Sequence, residues 1–260
     1  MKFQVFIPAR YASTRLPGKM LADIHGKPLI QHTYERAIAS GATRVIIATD
    51  SPEIQAACAK FNAEVCLTSK MHTTGTDRIA EAARILGLAD DDLIINLQGD
   101  EPGMPPACLQ QLAQTLAEKL EVEMATACVP LNSLEEIFDP NIVKAVLDQM
   151  GNALYFSRAP IPWDREGFNA NPKEFINTSP YYRHLGLYAF RNQFLQRFVQ
   201  WQPAPIEKME LLEQLRALYY GVRIHATIIN QMPPLGVDTP ADLEAARRYL
   251  ANTPLANGSK

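Results

Sequence analysis

Arg10, Arg15 and Lys19 fall within one short segment, residues 7–19 (IPARYASTRLPGK), with no acidic residue between them. Arginine forks hold phosphate oxygens in pairs, a lysine adds a point charge, and loop N–H groups complete a cradle. Three cations on one loop therefore suit a polyphosphate; the competing reading is a solvated loop that happens to be basic. The segment lacks the earlier glycine of a Walker loop, and no G-x-G-x-x-G occurs in the chain, so neither common nucleotide fingerprint applies. A carboxylate that could serve the same site is Asp100, in Gln98-Gly99-Asp100-Glu101-Pro102 directly after the apolar run LIINL. Magnesium usually takes one or two carboxylates together with phosphate oxygens and water. Read alone, the same residues would be an ordinary acidic turn. Asp90, Asp91 and Asp92 precede that run and read as a solvated turn at its wrong end. His25, His32 and His225 are isolated, without metal-ligand spacing, and read as structural.

These side chains need elements to hold them. Residues 3–7 (FQVFI), 45–48 (VIIA), 64–68 (EVCLT) and 93–97 (LIINL) read as strands; the first two and the last are apolar runs of the kind buried in parallel sheets. Helical patterns alternate with them: residues 28–39, a helix opened by Ser51 as N-cap with Pro52 at its first turn, and residues 76–86 with Thr76 as N-cap. Such alternation predicts an α/β fold with a mostly parallel central sheet and helices on both faces. Ligands gather at the carboxyl ends of those strands, where residues 8–19, Asp50 and residues 98–101 all fall. Further along, residues 124–129, 143–147, 153–157, 182–190 and 223–229 read as strands, and 208–220 (KMELLEQLRALYY) as one periodic helix ending at Gly221. Residues 160–180 form a long excursion rich in Pro, Asn and aromatics. A helix over 240–250 is opened by Thr239 as N-cap, with Pro240 and Asp242 completing a capping-box-like pattern. The expected organisation is one domain, 1–250, with an inserted lobe at about 150–205 and a flexible tail at 251–260.

The segment PARYASTRLPGK, followed by Gly26-Lys27-Pro28-Leu29-Ile30-Gln31-His32, closely resembles the start of the sugar-acid cytidylyltransferases, most of all their 3-deoxy-manno-octulosonate branch. The resemblance runs from about residue 2 to about residue 250 through several separate motifs. It implies a Rossmann-like nucleotidyltransferase fold with an inserted dimerisation lobe, and Mg-dependent transfer of CMP from CTP to a 3-deoxy sugar acid. Pro8, Ala9, Arg10, Arg15 and Lys19 would hold the nucleotide. Thr74 and Arg78, in HTTGTDR, would address the cytosine; serine is the more usual residue where Thr74 stands, and the hydroxyl is kept. Asp100 would bind the metal, and GVDTP would supply its second ligand, Asp238, which otherwise reads as an Asx-turn residue. Lys19, Asp100 and Asp238 form the implied catalytic set. Gln98, Arg158, Arg165, His184, Tyr188, Glu213 and Gln214 would hold the sugar acid, the last four through the matches RHLGLYAF and KMELLEQLRAL. A carboxylate with many hydroxyls needs a cation plus mixed donors and acceptors. The resemblance also implies a homodimer, with residues 160–180 and adjoining strands at the interface, and a role in lipopolysaccharide assembly.

Composition narrows the alternatives. Across 260 residues, 47% are hydrophobic and 20% charged, with a formal net charge of −3, which argues against broad nucleic-acid binding. The four cysteines show no C-x-x-C pair and no zinc spacing, which fits buried thiols in a reducing compartment. The N-terminal apolar run, broken by Pro8 and Arg10, is too short for a signal peptide, and no run approaches a membrane span, so a cytoplasmic location is expected. No G-x-S-x-G or H-E-x-x-H is present. Two rival readings are a hexose-1-phosphate nucleotidyltransferase using UTP or dTTP, which favours a more glycine-rich first loop, and a non-catalytic nucleotide-binding regulator on the same fold.

Overall fold

Alternation along β1 (Gln4–Ala9) sends Val5 and Ile7 to one core and Phe6 to the other, and all three are fully buried. A strand buried on both faces belongs inside a sheet covered twice. The computed structural model, which describes residues 1–13, 15–169, 181–230, 232–234 and 236–253, shows that sheet. After β1 come a short hairpin of β2 (Asp23–Ile24) and β3 (Lys27–Pro28), then α1 (Leu29–Ala39), β4 (Arg44–Thr49), α2 (Pro52–Ala59), β5 (Glu64–Leu67), α3 (Gly75–Ile85) and β6 (Leu93–Asn96). The second half holds α4 (Pro106–Glu118), β7 (Met124–Pro130), α5 (Leu134–Phe138), β8 (Lys144–Leu147), β9 (Ala153–Ser157), β10 (Tyr182–Arg191) and α6 (Asn192–Phe198). It closes with α7 (Pro205–Glu210), α8 (Leu215–Tyr219), β11 (Ile224–Ile228) and α9 (Pro240–Asn252).

The strand order is β11-β7-β10-β6-β1-β4-β5. The strands from β6 to β5 run parallel, as do β11 and β7, whereas β10 runs against both of its neighbours. One core lies under α1, α2, α4 and α9; the other lies under α3, α6 and α8. The expected α/β architecture with a mostly parallel sheet is therefore present. Off the main path, β8 pairs with β10 and with β9. Of the lobe expected at 150–205, β9 stands apart in this way, while β10 and α6 belong to the main sheet and its core. Residues 170–180 of the expected interface segment and 254–260 of the expected tail lie outside the described residues.

Three sequence expectations need correction. Residues 208–220 are not one helix: Leu211 adopts a left-handed conformation (φ 54°) and separates α7 from α8. The Glu207 carboxylate accepts from the Ala204 N–H at the start of α7 and pairs bidentately with Arg216 of α8, at 2.9 and 2.6 Å. That buried pair holds the two short helices across the break, which the apolar period alone cannot reveal. The N-cap of α3 is Thr74, whose Oγ1 accepts from the Asp77 N–H, and not Thr76. The amphipathic helix α4, with Cys108, Leu109, Leu112, Ala113 and Leu116 buried, and the short helices α5 and α6 were not among the expected elements. The caps expected at Ser51 and Thr239 are present, the latter as a full capping box. All four cysteines are free and buried, and burial pushes the thiols of Cys58 and Cys128 up to about 12.

Candidate active site

Beyond Ala9 the chain leaves the sheet, and Gly18, at φ 67°, turns it back into a single 3-10 turn over Lys19–Leu21. That left-handed conformation favours glycine. The turn buries Lys19 and aims its Nζ at three oxygens: Asp100 Oδ2 at 2.6 Å, Asp238 Oδ1 at 2.9 Å and the carbonyl of Val237 at 3.0 Å. Burial works against the ammonium, but the charge and hydrogen bonds of the two aspartates outweigh it and hold its pKa above the ordinary lysine value. Arg15 reaches the other oxygen of Asp238 at 2.8 Å from the solvent side.

The two aspartates come from distant parts of the chain, and backbone contacts bring them together. Asp100 follows β6; Asp238 precedes α9, and the Val237 N–H donates to the Asp100 carbonyl at 2.8 Å. Gly103 makes this approach possible, since a Cβ there would lie 2.2 Å from Pro234 Cγ. A cavity of about 280 Å³ opens in front of this cluster, bordered by Pro8, Arg10, Ser13, Lys19, Gln98 and Asp100.

A second cavity, of about 320 Å³, adjoins the first and shares Gly75 and Gln98 with it. Its wall includes Arg183, His184, Tyr188, Glu213 and Gln214. Glu213 and Gln214 reach it because the break after α7 turns them inward. Thr76 Oγ1 donates to Glu213 Oε2, while Glu213 Oε1 has no hydrogen-bond partner among the described residues and lies 3.8 Å from Arg216 Nη2. Burial raises the Glu213 pKa, partly offset by Thr76 and Arg216. His184 packs between the rings of Phe156 and Tyr188, and burial drops its pKa to about 3, so its ring is neutral.

Arg78 is wholly buried on α3. Its Nη1 donates to Thr68 Oγ1 at 2.7 Å and its Nη2 lies 3.3 Å from Asp50 Oδ2, leaving Nε and Nη2 without a hydrogen-bond partner among the described residues. Burial lowers its pKa, with Asp50 acting against that shift.

Of the residues expected from the sequence, Pro8, Arg10, Lys19, Gln98, Asp100, His184, Tyr188, Glu213 and Gln214 line the two cavities, whereas Ala9, Arg15, Thr74, Arg78 and Asp238 line neither. Arg158 gives its Nε to the Glu210 carbonyl and its Nη1 to the Pro140 carbonyl, and it lines neither cavity. Its guanidinium ties β9 to the end of α7 instead. Arg165 lines neither cavity either. The cation that does border the second cavity is Arg183, which the sequence reading passed over. Strand alternation would put it on the face opposite His184, yet both border the cavity beside an irregularity in β10 between Leu185 and Tyr188.

An α/β sheet carrying a basic loop after its first strand, paired carboxylates beside it and two adjoining polar cavities defines a nucleotidyltransferase-type architecture. A family model described as cytidylyltransferase matches residues 4–224. Curated relatives named 3-deoxy-manno-octulosonate cytidylyltransferase include one from Aeromonas hydrophila, 54% identical over 97% of this chain and 100% of its own length. Another, numbered 1, from Actinobacillus pleuropneumoniae serotype 5b, is 53% identical over 96% of this chain and 100% of its own. Among solved structures, a CMP:2-keto-3-deoxy-manno-octonic acid synthetase complexed with CTP superposes with a TM-score of 0.87 at 40% identity, covering 97% of this chain and 99% of that one. A cytidylyltransferase from Leptospira borgpetersenii, 17% identical with a TM-score of 0.61, shares the fold. The chain belongs to the cytidylyltransferase family.

Proposed function

We propose that this protein is a 3-deoxy-manno-octulosonate cytidylyltransferase, joining CMP from CTP to the sugar acid and releasing pyrophosphate. The observation that carries this reading is the pair of polar cavities meeting at Gly75 and Gln98, one basic and one rich in mixed donors and acceptors. In this reading CTP enters the first, its phosphates against Arg10 and Lys19, with its base on the side of Thr74 and Arg78, which do not border the cavity. The unused Nε and Nη2 of Arg78 are buried donors suited to a base edge. In the second cavity, Arg183 supplies the cation a carboxylate needs, and Tyr188, Glu213 and Gln214 meet the hydroxyls. With CTP and sugar acid in adjoining cavities, the anomeric hydroxyl of the sugar would approach the α-phosphorus across their shared wall. That oxygen forms the new P–O bond as the bond to pyrophosphate breaks in line, and the hydroxyl proton is lost to solvent. Catalysis then rests on positioning and on cations facing the developing phosphate charge.

The donor set fits magnesium. Asp100 and Asp238 already converge on one cationic centre, the Lys19 ammonium, with the Val237 carbonyl beside it. All three are hard oxygens. Among the described residues no group of three or more His, Cys, Asp or Glu converges as a metal site, so phosphate and water would complete the shell. A magnesium ion held there would neutralise phosphate charge. The same reading brings with it a homodimer, a cytoplasmic location and supply of activated sugar for lipopolysaccharide assembly; no described helix is long and apolar enough to cross a membrane. The test is a matrix of nucleotides against sugars scored by pyrophosphate formed. Release confined to CTP with a 3-deoxy sugar acid supports the proposal, and release with UTP or dTTP and a hexose 1-phosphate overturns it.

A further inference from the structure

Thr126, on β7, is fully buried and lines neither cavity, yet its hydroxyl meets three polar atoms. The Leu187 carbonyl lies at 2.9 Å, the Leu185 carbonyl at 3.3 Å and His184 Nε2 at 2.9 Å. A threonine hydroxyl has one proton to give. Both carbonyls can only accept. If the proton went to His184, the hydroxyl and the Leu187 carbonyl would face each other at 2.9 Å with no proton between them, inside the protein, where an unpaired polar contact is costly. The proton therefore goes to Leu187, and His184 Nε2 must carry the hydrogen that Thr126 accepts.

The direction then propagates. With Nε2 protonated and the ring neutral, Nδ1 is a bare lone pair, and Gln214 Nε2 is the donor 3.4 Å away. The other end of that amide accepts from the Tyr188 hydroxyl at 3.0 Å. Tyr188 gives its only proton inward, so it faces the cavity as an acceptor, while the second N–H of Gln214 remains a donor. The irregularity of β10 between Leu185 and Tyr188 supplies the two carbonyls that anchor the chain, and Gly186 at that irregularity borders the cavity.

We propose that Thr126 is a positioning residue: its hydroxyl fixes His184 as the Nε2–H tautomer and so sets which groups of Gln214 and Tyr188 donate and accept toward the sugar. The assignment of the cavity to the sugar rests on the function proposed above, whereas the tautomer does not. Nitrogen-15 NMR of histidine-labelled protein reads the tautomer directly in the unaltered protein. The Nε2–H form is expected at His184, and the Nδ1–H form overturns the proposal. Thr126→Val keeps the shape and removes the hydroxyl; Thr126→Ser keeps the hydroxyl. In Thr126→Val the His184 signals should shift toward mixed tautomers, and kcat/KM for the sugar acid should fall about tenfold, the equivalent of one buried hydrogen bond. KM for CTP should hold within about twofold, and Thr126→Ser should restore both readouts. An unchanged tautomer in Thr126→Val, or equal damage to CTP and sugar use, overturns the proposal. If the unaltered protein turned over no sugar acid, the proposed function would fail while the NMR result still judged Thr126.

Discussion

Replacing Lys19 by methionine removes a cation from between two carboxylates while keeping a side chain of similar length. The Lys19 side chain is 10% exposed, that of Asp100 27% and that of Asp238 46%. The contact to Asp100 is thus largely shielded and should be worth about 1.5–3 kcal/mol, whereas the more exposed contact to Asp238 adds about 0–1 kcal/mol. Loss of both also leaves Asp100 and Asp238 facing each other without a counterion. Lys19→Met should therefore be about 2–3 kcal/mol less stable in the presence of chelator, a drop in Tm of roughly 5–10 °C for a chain of this size. If the two aspartates form a divalent-cation site, magnesium or manganese should reverse that loss without nucleotide. A concentration a hundredfold above Kd returns about 2.7 kcal/mol. The unaltered protein should gain much less, because the ammonium already occupies the position between the carboxylates. Differential scanning fluorimetry of both proteins across a metal titration reads the effect without any turnover. Equal metal stabilisation of the two proteins, or none in Lys19→Met, would refute the idea that Lys19 holds the place of a cation.

Asp238→Asn should abolish metal-dependent turnover with CTP while shifting stability by no more than about 1 kcal/mol, given its half-exposed side chain; a pyrophosphate assay beside a thermal melt checks both. Glu213→Gln keeps an acceptor for Thr76 but removes the charge, and should raise KM for the sugar acid by roughly 10–100-fold with CTP binding intact; equal loss of both substrates would mark Glu213 as structural. For His184, burial lowers the folded-state pKa from 6.5 to about 3, so the unfolded chain binds the extra proton as pH falls through 6.5. The contribution to stability is complete above that pH and declines down to about pH 3. Urea melts at pH 7 and pH 5 should differ by about 2 kcal/mol more in the unaltered protein than in His184→Phe.

How much of the site could be read from the sequence depended on how local each signal was. The basic loop was legible because its cations sit within ten positions and follow an apolar strand, so composition and order placed them at the sheet's carboxyl edge. Asp100 was legible for the same reason, being adjacent to β6. Asp238 was legible only through the resemblance of GVDTP: its partner lies on a different element, and the contact depends on a close approach at Gly103 that no period or propensity expresses. The wall of the second cavity shows the limit more sharply. Alternation along β10 assigns Arg183 and His184 to opposite faces, and helical periodicity carries residues 208–220 through Leu211 as one helix. The helical rule fails where the backbone departs from it, at the left-handed Leu211, whereas Arg183 and His184 keep regular pairing with Val129 and Cys128 and still border one cavity. The break at Leu211 brings Glu213 and Gln214 to the cavity that His184 and Arg183 also border. Arg158, expected at the sugar acid, gives its hydrogen bonds to the carbonyls of Glu210 and Pro140 and borders neither cavity. Local irregularities of this kind persist only where surrounding contacts fix them, and here the fixing contacts are the Thr126 hydroxyl and the Glu207–Arg216 pair. The residues that hold the site in shape are therefore buried, line neither cavity, and carry no motif of their own.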